Sequence, residues 1–283
     1  MNTPSLAHRT RGASSPRTAR RGLAIYLTVV ALLTLPLHLG LILTDALADA
    51  DSGIVWIAPL MCVPALASAI ARLILGEGFA DLSRRTRTPL SRRLTHASLL
   101  VPVVVGLIAY PAAAVIGVVR LAVPTPLGGW IALVAVSLVL NVVLASGEEV
   151  GWRGYMVPRL VASGVRAPLL VSGLIWGLWH VPLYLWAGLV NDGPPAWTST
   201  ALMLVLTAAL GYVLARLQLE AGTVWAPVAL HVAWNVIIQT VLDPIAIGEG
   251  KGLWVGEVGV LTVTATACVA LAYRARPWGL PRR

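Results

Sequence analysis

The feature that most constrains this chain is a series of apolar runs, each long enough to cross a bilayer. About 20 residues of α-helix span the ~30 Å hydrocarbon core. Backbone polar groups find no water there, so a spanning run must form a helix or join a closed barrel. The apolar runs lie at 23–43, 54–75, 97–119, from 129 onward, and at 168–187, 198–217, 224–242 and 253–273. This pattern predicts an all-α, polytopic helical membrane protein with about eight transmembrane helices.

The composition agrees with a membrane protein and argues against nucleic-acid binding. Hydrophobic residues make up 58% of the chain and charged residues only 12%, whereas a soluble domain carries about 25% charged residues. The formal net charge of +9 comes from arginines that stand between and outside the apolar runs. Basic residues are placed in this way on the cytoplasmic face of membrane proteins. We therefore expect the lipid bilayer, and no nucleic acid, as a partner.

The alternation of arginine-rich and acidic segments predicts the topology. Arginines precede the first run and follow the second, fourth and eighth runs, whereas three aspartates lie in the loop at 45–51. The positive-inside rule then places both termini in the cytoplasm. We expect an integral protein of the plasma membrane.

Four regions follow from these patterns. Residues 1–21, rich in Arg, Ser, Thr and Pro, should form a disordered basic cytoplasmic tail. Residues 22–128 hold the N-terminal transmembrane helices, and residues 129–242 form a core that carries the polar residues described next. Residues 243–283 contain the last transmembrane helix and a basic C-terminal tail.

Polar side chains interrupt the apolar pattern at three places in the second half of the chain. Ionisable residues inside membrane helices are costly and normally have a partner or a task. Residues four apart share a helix face, and this spacing recurs three times. The three pairs are Glu149 with Arg153, Trp176 with His180, and His231 with Asn235. Glu148 points about 100° away from its neighbour Glu149 and is therefore directed toward other contacts.

Each pair also has a purely structural interpretation. The charged pair would anchor a helix end at the membrane interface, and the single histidine would bond to a neighbouring helix. The His–Asn pair would join two helices by hydrogen bonds. The combination is more specific than its parts, because no other predicted span combines a histidine with Asn, Glu or Asp one turn away. We therefore expect the three segments to meet in one central polar site.

In order and spacing, these residues resemble the CPBP intramembrane proteases, which include the CAAX prenyl endopeptidases and bacteriocin-processing proteins. The family pattern EExxxR, FxxxH and HxxxN is matched by residues 148–153, 176–180 and 231–235. One position departs from the pattern, since Trp176 replaces the phenylalanine. We expect this exchange of aromatic residues to alter the shape of the pocket more than its chemistry. The resemblance covers about residues 140–240.

The resemblance implies hydrolysis of a peptide bond within the membrane, in a membrane-associated peptide or protein. Amide hydrolysis needs a base that activates water and donors that hold the oxyanion. We expect Glu148 to be the general base and His180 to hold and polarise the water. His231 and Asn235 would donate hydrogen bonds to the developing oxyanion.

The remaining motif residues are expected to support this site. Glu149 with Arg153 would fix the helix end and keep the catalytic glutamate oriented. Trp176 would pack over the imidazole or form a wall of the site. The glutamates reach the depth of the two histidines only if their helix continues inward past them. A water-filled cavity that opens to the cytoplasm would permit such a polar turn inside the membrane, and we expect one here.

A zinc site is the open alternative, and members of this family are often named metalloproteases. Glu148, His180 and His231 would form a His₂Glu set that leaves one position for water. The three ligands stand on three helices, however, and the short chelating motif H-E-x-x-H is absent from the sequence. The favoured hypothesis is a glutamate mechanism without metal or other cofactor.

Two other classes of function remain open. A proton-coupled transporter could use the same ionisable residues as a relay, but no inverted repeat or pair of broken helices supports it. A non-catalytic membrane scaffold or immunity protein could share the protease fold. The complete motifs favour the enzyme over the scaffold.

Overall fold

The computed structural model describes residues 15–48, 50–89, 91–189 and 193–277, and these residues are mostly helical. The helices are α1 (Pro16–Leu43), α2 (Ala50–Leu75), α3 (Ala80–Arg87), α4 (Arg92–Val115), α5 (Leu127–Gly151), α6 (Val157–Ala162), α7 (Pro168–Leu185), α8 (Ala196–Ala221), α9 (Trp225–Trp234), α10 (Asp243–Ile245) and α11 (Val260–Ala275). Two π-helical segments, Trp152–Met156 and Asn235–Leu242, join α5 to α6 and α9 to α10. The two-residue strands β1 (Arg120–Leu121) and β2 (Ala246–Ile247) pair in antiparallel fashion.

Seven helical stretches are long and apolar enough to cross a membrane. They are Pro16–Leu43, Ser52–Leu75, Arg92–Val115, Leu127–Ala162, Pro168–Leu185, Ala196–Ala221 and Trp225–Ile245. An eighth apolar helix, α11, has 16 residues. The predicted all-α polytopic fold is confirmed, and the expected number of about eight helices agrees with this architecture.

Part of the stretch that was predicted to be a disordered tail, residues 1–21, is helical. Helix α1 begins at Pro16, so residues 16–21 are helical. The Ser15 hydroxyl accepts a hydrogen bond from the backbone N–H of Thr18 at 3.3 Å, which caps the helix, and proline suits the first helical position. Residues 1–14 and 278–283 lie outside the described part of the chain, and so does most of the predicted basic tail.

The last membrane helix begins later than the apolar pattern predicted. Helix α11 begins at Val260, whereas the sequence indicated a helix from 253. Gly256 adopts a φ of +81°, which lies outside the helical region and is open mainly to glycine. Residues 248–259, called here the connecting segment, therefore form only a short 3₁₀ turn at Lys251–Leu253.

Glycines allow the central helices to approach one another closely. A Cβ atom on Gly211 of α8 would lie 2.6 Å from the Cα atom of Gly173 on α7. A Cβ atom on Gly151 of α5 would lie 2.3 Å from the backbone oxygen of Pro64 on α2. Membrane helices associate through such small-residue contacts, because lipid provides no hydrophobic drive between helices.

One end of the helix bundle, called here the arginine-rich end, is held together by polar contacts. It contains the first residues of α1, α4, α7 and α9 and the last residues of α2, α6, α8 and α11. The contacts are Arg72 with Asp81 at 2.5 Å, Arg159 with Glu77, Arg20 with the carbonyl of Ser163 at 3.2 Å, and the Thr223 hydroxyl with the carbonyl of Arg85 at 2.7 Å. Strands β1 and β2 and the connecting segment lie at the other end.

Candidate active site

A polar cavity of about 550 Å³ lies inside the bundle, among α2, α5, α7, α8 and the π-helical segment that follows α9. All four predicted catalytic residues line it: Glu148, His180, His231 and Asn235. Trp176 lines the cavity too. Three helices that are distant in sequence therefore bring the predicted residues to one space.

The two glutamates occupy the last turn of α5, directly before the first π-helical segment. Glycines at 147 and 151 flank them, and α2 packs against this face so closely that a side chain at either position would meet its backbone. This packing holds the carboxylates inside the bundle, away from lipid. Glu148 is only 2% exposed and Glu149 is completely buried.

Glu149 connects two of the three motifs through one oxygen atom. The Arg153 Nη1 group donates a hydrogen bond to Glu149 Oε1 at 2.7 Å. The Nδ1 atom of His231 lies 2.9 Å from the same oxygen. The predicted Glu149–Arg153 pair is therefore present, and the link to His231 is an additional contact that spacing along one helix did not indicate.

Trp176 holds the other glutamate. Its indole Nε1–H donates a hydrogen bond to Glu148 Oε2 at 2.7 Å. The indole ring also meets the rings of His180 and His231 edge to face, each at 5.4 Å between centroids. We expected the exchange of phenylalanine for tryptophan to alter mainly the pocket's shape. That expectation is wrong for this site, because phenylalanine has no donor for the carboxylate.

The contacts of His180 decide which of its ring nitrogens carries the proton. Its Nδ1 atom lies 2.9 Å from the backbone oxygen of Trp176. A carbonyl oxygen can only accept a hydrogen bond, so Nδ1 must be the donor. In the neutral ring, Nε2 then keeps its lone pair and can accept a hydrogen bond from water.

Asn235 belongs to a chain of amides. Its Nδ2 group donates to Asn141 Oδ1 at 2.7 Å, and its Oδ1 accepts from Gln239 Nε2 at 3.4 Å. Asn141 and Gln239 both line the cavity, and the sequence analysis missed them. Asn141 stands two turns before Glu148, and this seven-residue spacing on one helix face was the available signal.

Glu257 is a second carboxylate of the cavity that the sequence analysis missed. It lies in the connecting segment, and its Oε2 atom accepts a hydrogen bond from the Tyr184 hydroxyl at 3.3 Å. Burial raises the pKa of the Glu257 carboxyl above its ordinary value. No motif or helical spacing connects Glu257 with the other residues, so only the folded chain shows its position.

The cavity extends toward the end of the bundle opposite the arginine-rich end. Beyond the motif residues it is lined by Leu189, Asp243 and Lys251, which follow the last turns of α7 and of the second π-helical segment. We expected the opening and the arginine-rich end to share one side of the membrane. On α7 and α9, which both start at the arginine-rich end, the cavity-lining residues lie toward the other end of each helix. The side of the membrane on which the cavity opens stays a prediction.

The predicted zinc set is not formed in this arrangement. Among residues 15–48, 50–89, 91–189 and 193–277, no three His, Cys, Asp or Glu side chains are placed to hold a metal ion. The Nδ1 atoms of the two histidines contact a backbone carbonyl and a carboxylate, respectively. The metal-free hypothesis stays a prediction, and the proposed reaction uses only the side chains of the cavity.

The part of the chain that carries these residues is similar to a known protein family. A family model described as "Rce1-like: Type II CAAX prenyl endopeptidase Rce1-like" matches residues 128–237. This region of the chain is Rce1-like. The matched stretch runs from the start of α5 into the second π-helical segment and contains all three motifs. No curated protein matches the chain.

The similarity of residues 128–237 to this family is similarity to CAAX-type intramembrane proteases. It therefore supports a hydrolase in the membrane and agrees with the resemblance seen in the sequence.

Proposed function

We propose that this Rce1-like protein is an intramembrane endopeptidase that cleaves a membrane-associated peptide or protein without a metal ion. Residues 129–242 form its catalytic core. One observation carries the proposal: Glu148, His180, His231 and Asn235 come from three helices and line one cavity. Polar groups inside a membrane are costly. Convergence on a shared space is better explained by a reaction than by separate helix anchoring.

Glu148 is the general base of the proposed reaction. Its Oε2 atom is held by Trp176, so the carboxylate has a fixed orientation in the cavity. It accepts a proton from water while the water oxygen bonds to the carbonyl carbon of the scissile peptide. It then returns that proton to the leaving nitrogen as the carbon–nitrogen bond breaks, which balances the protons of the hydrolysis.

His180 positions the attacking water. Because Nδ1 donates to the Trp176 carbonyl, Nε2 of the neutral ring accepts a hydrogen bond from one hydrogen of the water. The other hydrogen then points to Glu148. Holding the water between two acceptors directs its lone pair toward the substrate carbonyl.

His231 and Asn235 stabilise the oxyanion. The Nδ1 atom of His231 donates to Glu149, so the ring must also carry a proton on Nε2 to act as an oxyanion donor. In that state the imidazolium faces the Glu149 carboxylate, which also pairs with Arg153. The Asn235 amide has two N–H bonds, of which one is directed to Asn141, and the second serves the substrate oxygen.

The proposed topology places both termini in the cytoplasm. The first helix and α11 both have an end at the arginine-rich end, where arginines outnumber acidic residues. The positive-inside rule assigns that end to the cytoplasm. The proposed substrate is a membrane-associated peptide or protein. The lipids of the bilayer contact the apolar outer surface of the bundle.

The decisive experiment compares wild type with Glu148→Gln in proteoliposomes that contain a library of hydrophobic and lipid-anchored peptides. Glutamine keeps an oxygen that accepts from Trp176 but cannot take up the proton. We expect cleavage to fall by about 10²–10⁴-fold, with unchanged expression and melting temperature. The exposed Glu249→Gln serves as the matched control and should cleave like wild type.

Full activity in Glu148→Gln would overturn the assignment of the base. A wild-type protein that cleaves no peptide of the library, although it is folded, would favour the non-catalytic scaffold.

A further inference from the structure

The arginine-rich end of the bundle carries a surplus of exposed positive charge. Within the described part of the chain its acidic residues are Glu77, Asp81 and Glu220, and each forms an ion pair with a buried arginine. Ten other arginines at this end have exposed side chains, and none of them forms an ion pair with a described residue. The ten are Arg17, Arg20, Arg21, Arg84, Arg87, Arg92, Arg93, Arg166, Arg274 and Arg276. Uncompensated positive charge of this kind attracts anions.

Four of these exposed arginines lie on and directly after α3, the short helix that joins α2 to α4. Both flanking helices contain candidate membrane spans, whereas four of the eight residues of α3 are charged. Such a segment is too costly to place in the hydrocarbon core, so α3 lies outside it. Arg84 and Arg87 stand three residues apart and therefore share a face of α3. Arg92 and Arg93 are the first residues of α4.

Aromatic side chains mark the depth of α3 in the membrane. The indole of Trp225 is 39% exposed, and its Nε1–H donates a hydrogen bond to the backbone carbonyl of Thr86 at 2.7 Å. Phe79, which directly precedes α3, is 42% exposed. Tryptophan is enriched at the membrane–water interface, where its ring contacts apolar chains and its N–H stays with polar groups. The exposed arginines of α3 therefore lie at the depth of the lipid headgroups.

The end of α3 is fixed to the start of α9. The carbonyl of Arg85 accepts hydrogen bonds from the Thr223 hydroxyl at 2.7 Å and from the backbone N–H of Val224 at 3.3 Å. Helix α9 carries His231, about 9 Å along the helix from its first residue. A ligand that holds α3 in place therefore also stabilises the start of a helix that lines the cavity.

We propose that Arg84, Arg87, Arg92 and Arg93 form a binding site for the phosphate group of an anionic phospholipid. Guanidinium groups bind phosphate oxygens through paired, charge-assisted hydrogen bonds. The depth of α3 favours a lipid over a free phosphate ion, because a headgroup meets these arginines while its acyl chains stay in the bilayer. The site is separate from the cavity and does not depend on the proposed protease function.

The test titrates the full chain, purified in an uncharged detergent and freed of lipid, with phosphatidylglycerol or phosphatidylcholine. Bound lipid is counted by native mass spectrometry, and the melting temperature is recorded for each mixture. We expect the wild-type protein to bind phosphatidylglycerol at least tenfold more tightly than phosphatidylcholine, and its melting temperature to rise only with the anionic lipid.

The double variant Arg84→Gln/Arg87→Gln should lose at least tenfold in affinity for phosphatidylglycerol, since each arginine near an anionic lipid contributes about fivefold. Arg84→Lys/Arg87→Lys keeps both charges and should lose less. The matched control is Arg17→Gln/Arg21→Gln, which removes two exposed arginines from one face of α1 at the same end. This control should bind the lipid like wild type.

Equal losses of affinity in the two glutamine pairs would overturn the site, because the lipid would then be attracted by the charge of the whole surface. Equal affinity of the wild-type protein for the two lipids would overturn it as well, even if a variant fails to fold. A rise in melting temperature with inorganic phosphate as large as that with phosphatidylglycerol would assign the site to a free anion and contradict the lipid. Because no cleavage is measured, these outcomes are independent of the protease proposal.

Discussion

At the scale of single residues, the two adjacent glutamates have different partners and therefore different roles. Glu148 faces the cavity and is held by Trp176, whereas Glu149 is buried between Arg153 and His231. In the proposed reaction the Glu148 carboxylate acts on water, whereas the Glu149 carboxylate links α5 to α9. The two roles are separable by experiment, because only one of them affects stability.

The substitution Glu149→Gln should destabilise the protein. It removes the charge that compensates a buried arginine, and breaking one side of a buried ion pair costs about 3–5 kcal/mol. We expect the melting temperature in detergent to fall by about 5–10 °C, together with a loss of cleavage. Glu148→Gln is the matched control and should melt within about 2 °C of wild type on the same scale. Equal melting temperatures for the two variants would contradict the structural role of Glu149.

The carboxyl group of Glu257 predicts a pH dependence of stability. Burial raises its pKa above the ordinary value of 4.5, so the folded protein holds a proton that the unfolded chain has already released. The resulting stabilisation is complete below about pH 4.5 and is lost as the pH rises through the folded pKa. The melting temperature of wild type should therefore decline more steeply above pH 4.5 than that of Glu257→Gln.

The exposed Glu249→Gln is the control for this comparison, because its carboxyl is in water in both states. It should keep the wild-type slope of melting temperature against pH. If Glu257→Gln also keeps that slope, Glu257 does not hold its proton in the folded protein.

At the scale of elements, the site depends on the close approach of α2 to α5. The glycine at 151 permits backbone contact with Pro64, and the glutamates stand one turn or less away from it. The π-helical segments follow at once on both α5 and α9. Such irregularities are frequent at functional sites, since they change the face that a helix presents.

Replacing Gly151 with alanine should disturb the site through packing alone. The new Cβ atom would lie 2.3 Å from backbone atoms of Pro64, which cannot rotate away as a side chain can. We expect a fall in melting temperature and a loss of cleavage of at least tenfold, because a displacement of about 1 Å between reacting groups strongly lowers the reaction rate. Gly128→Ala in the first turn of the same helix, where a Cβ atom would meet nothing within 4 Å, should leave both quantities unchanged.

At the scale of the whole molecule, the bundle has ion pairs at its arginine-rich end and encloses a polar cavity whose lining extends toward the other end. The outer surface is apolar, as the exposures of 67% for Val139 and 63% for Val143 illustrate.

The metal-free mechanism predicts that chelation has no effect. After dialysis against a strong chelator, the wild-type protein in proteoliposomes should cleave its substrate at an unchanged rate. Elemental analysis of the active protein should find far less than one zinc per chain. Loss of cleavage on chelation, restored by zinc alone, would instead favour the His₂Glu alternative with Glu148, His180 and His231 as ligands.

The amino-acid sequence by itself determined the all-α membrane fold and the identity of the polar motif residues. Both depend on local information, namely the length of apolar runs and the four-residue spacing that places Glu149 with Arg153 and His231 with Asn235 on shared helix faces. It also indicated the family, because the motifs are contiguous stretches.

Only the tertiary structure decided how these residues are connected. The contacts of Glu149 with His231, of Trp176 with Glu148 and of Tyr184 with Glu257 join residues from different parts of the chain. The start of α11 and the extent of the cavity depend on how the helices and the connecting segment pack. Helical periodicity predicts which residues share a face of a helix. Which other helix packs against that face is determined by the packing of the whole bundle.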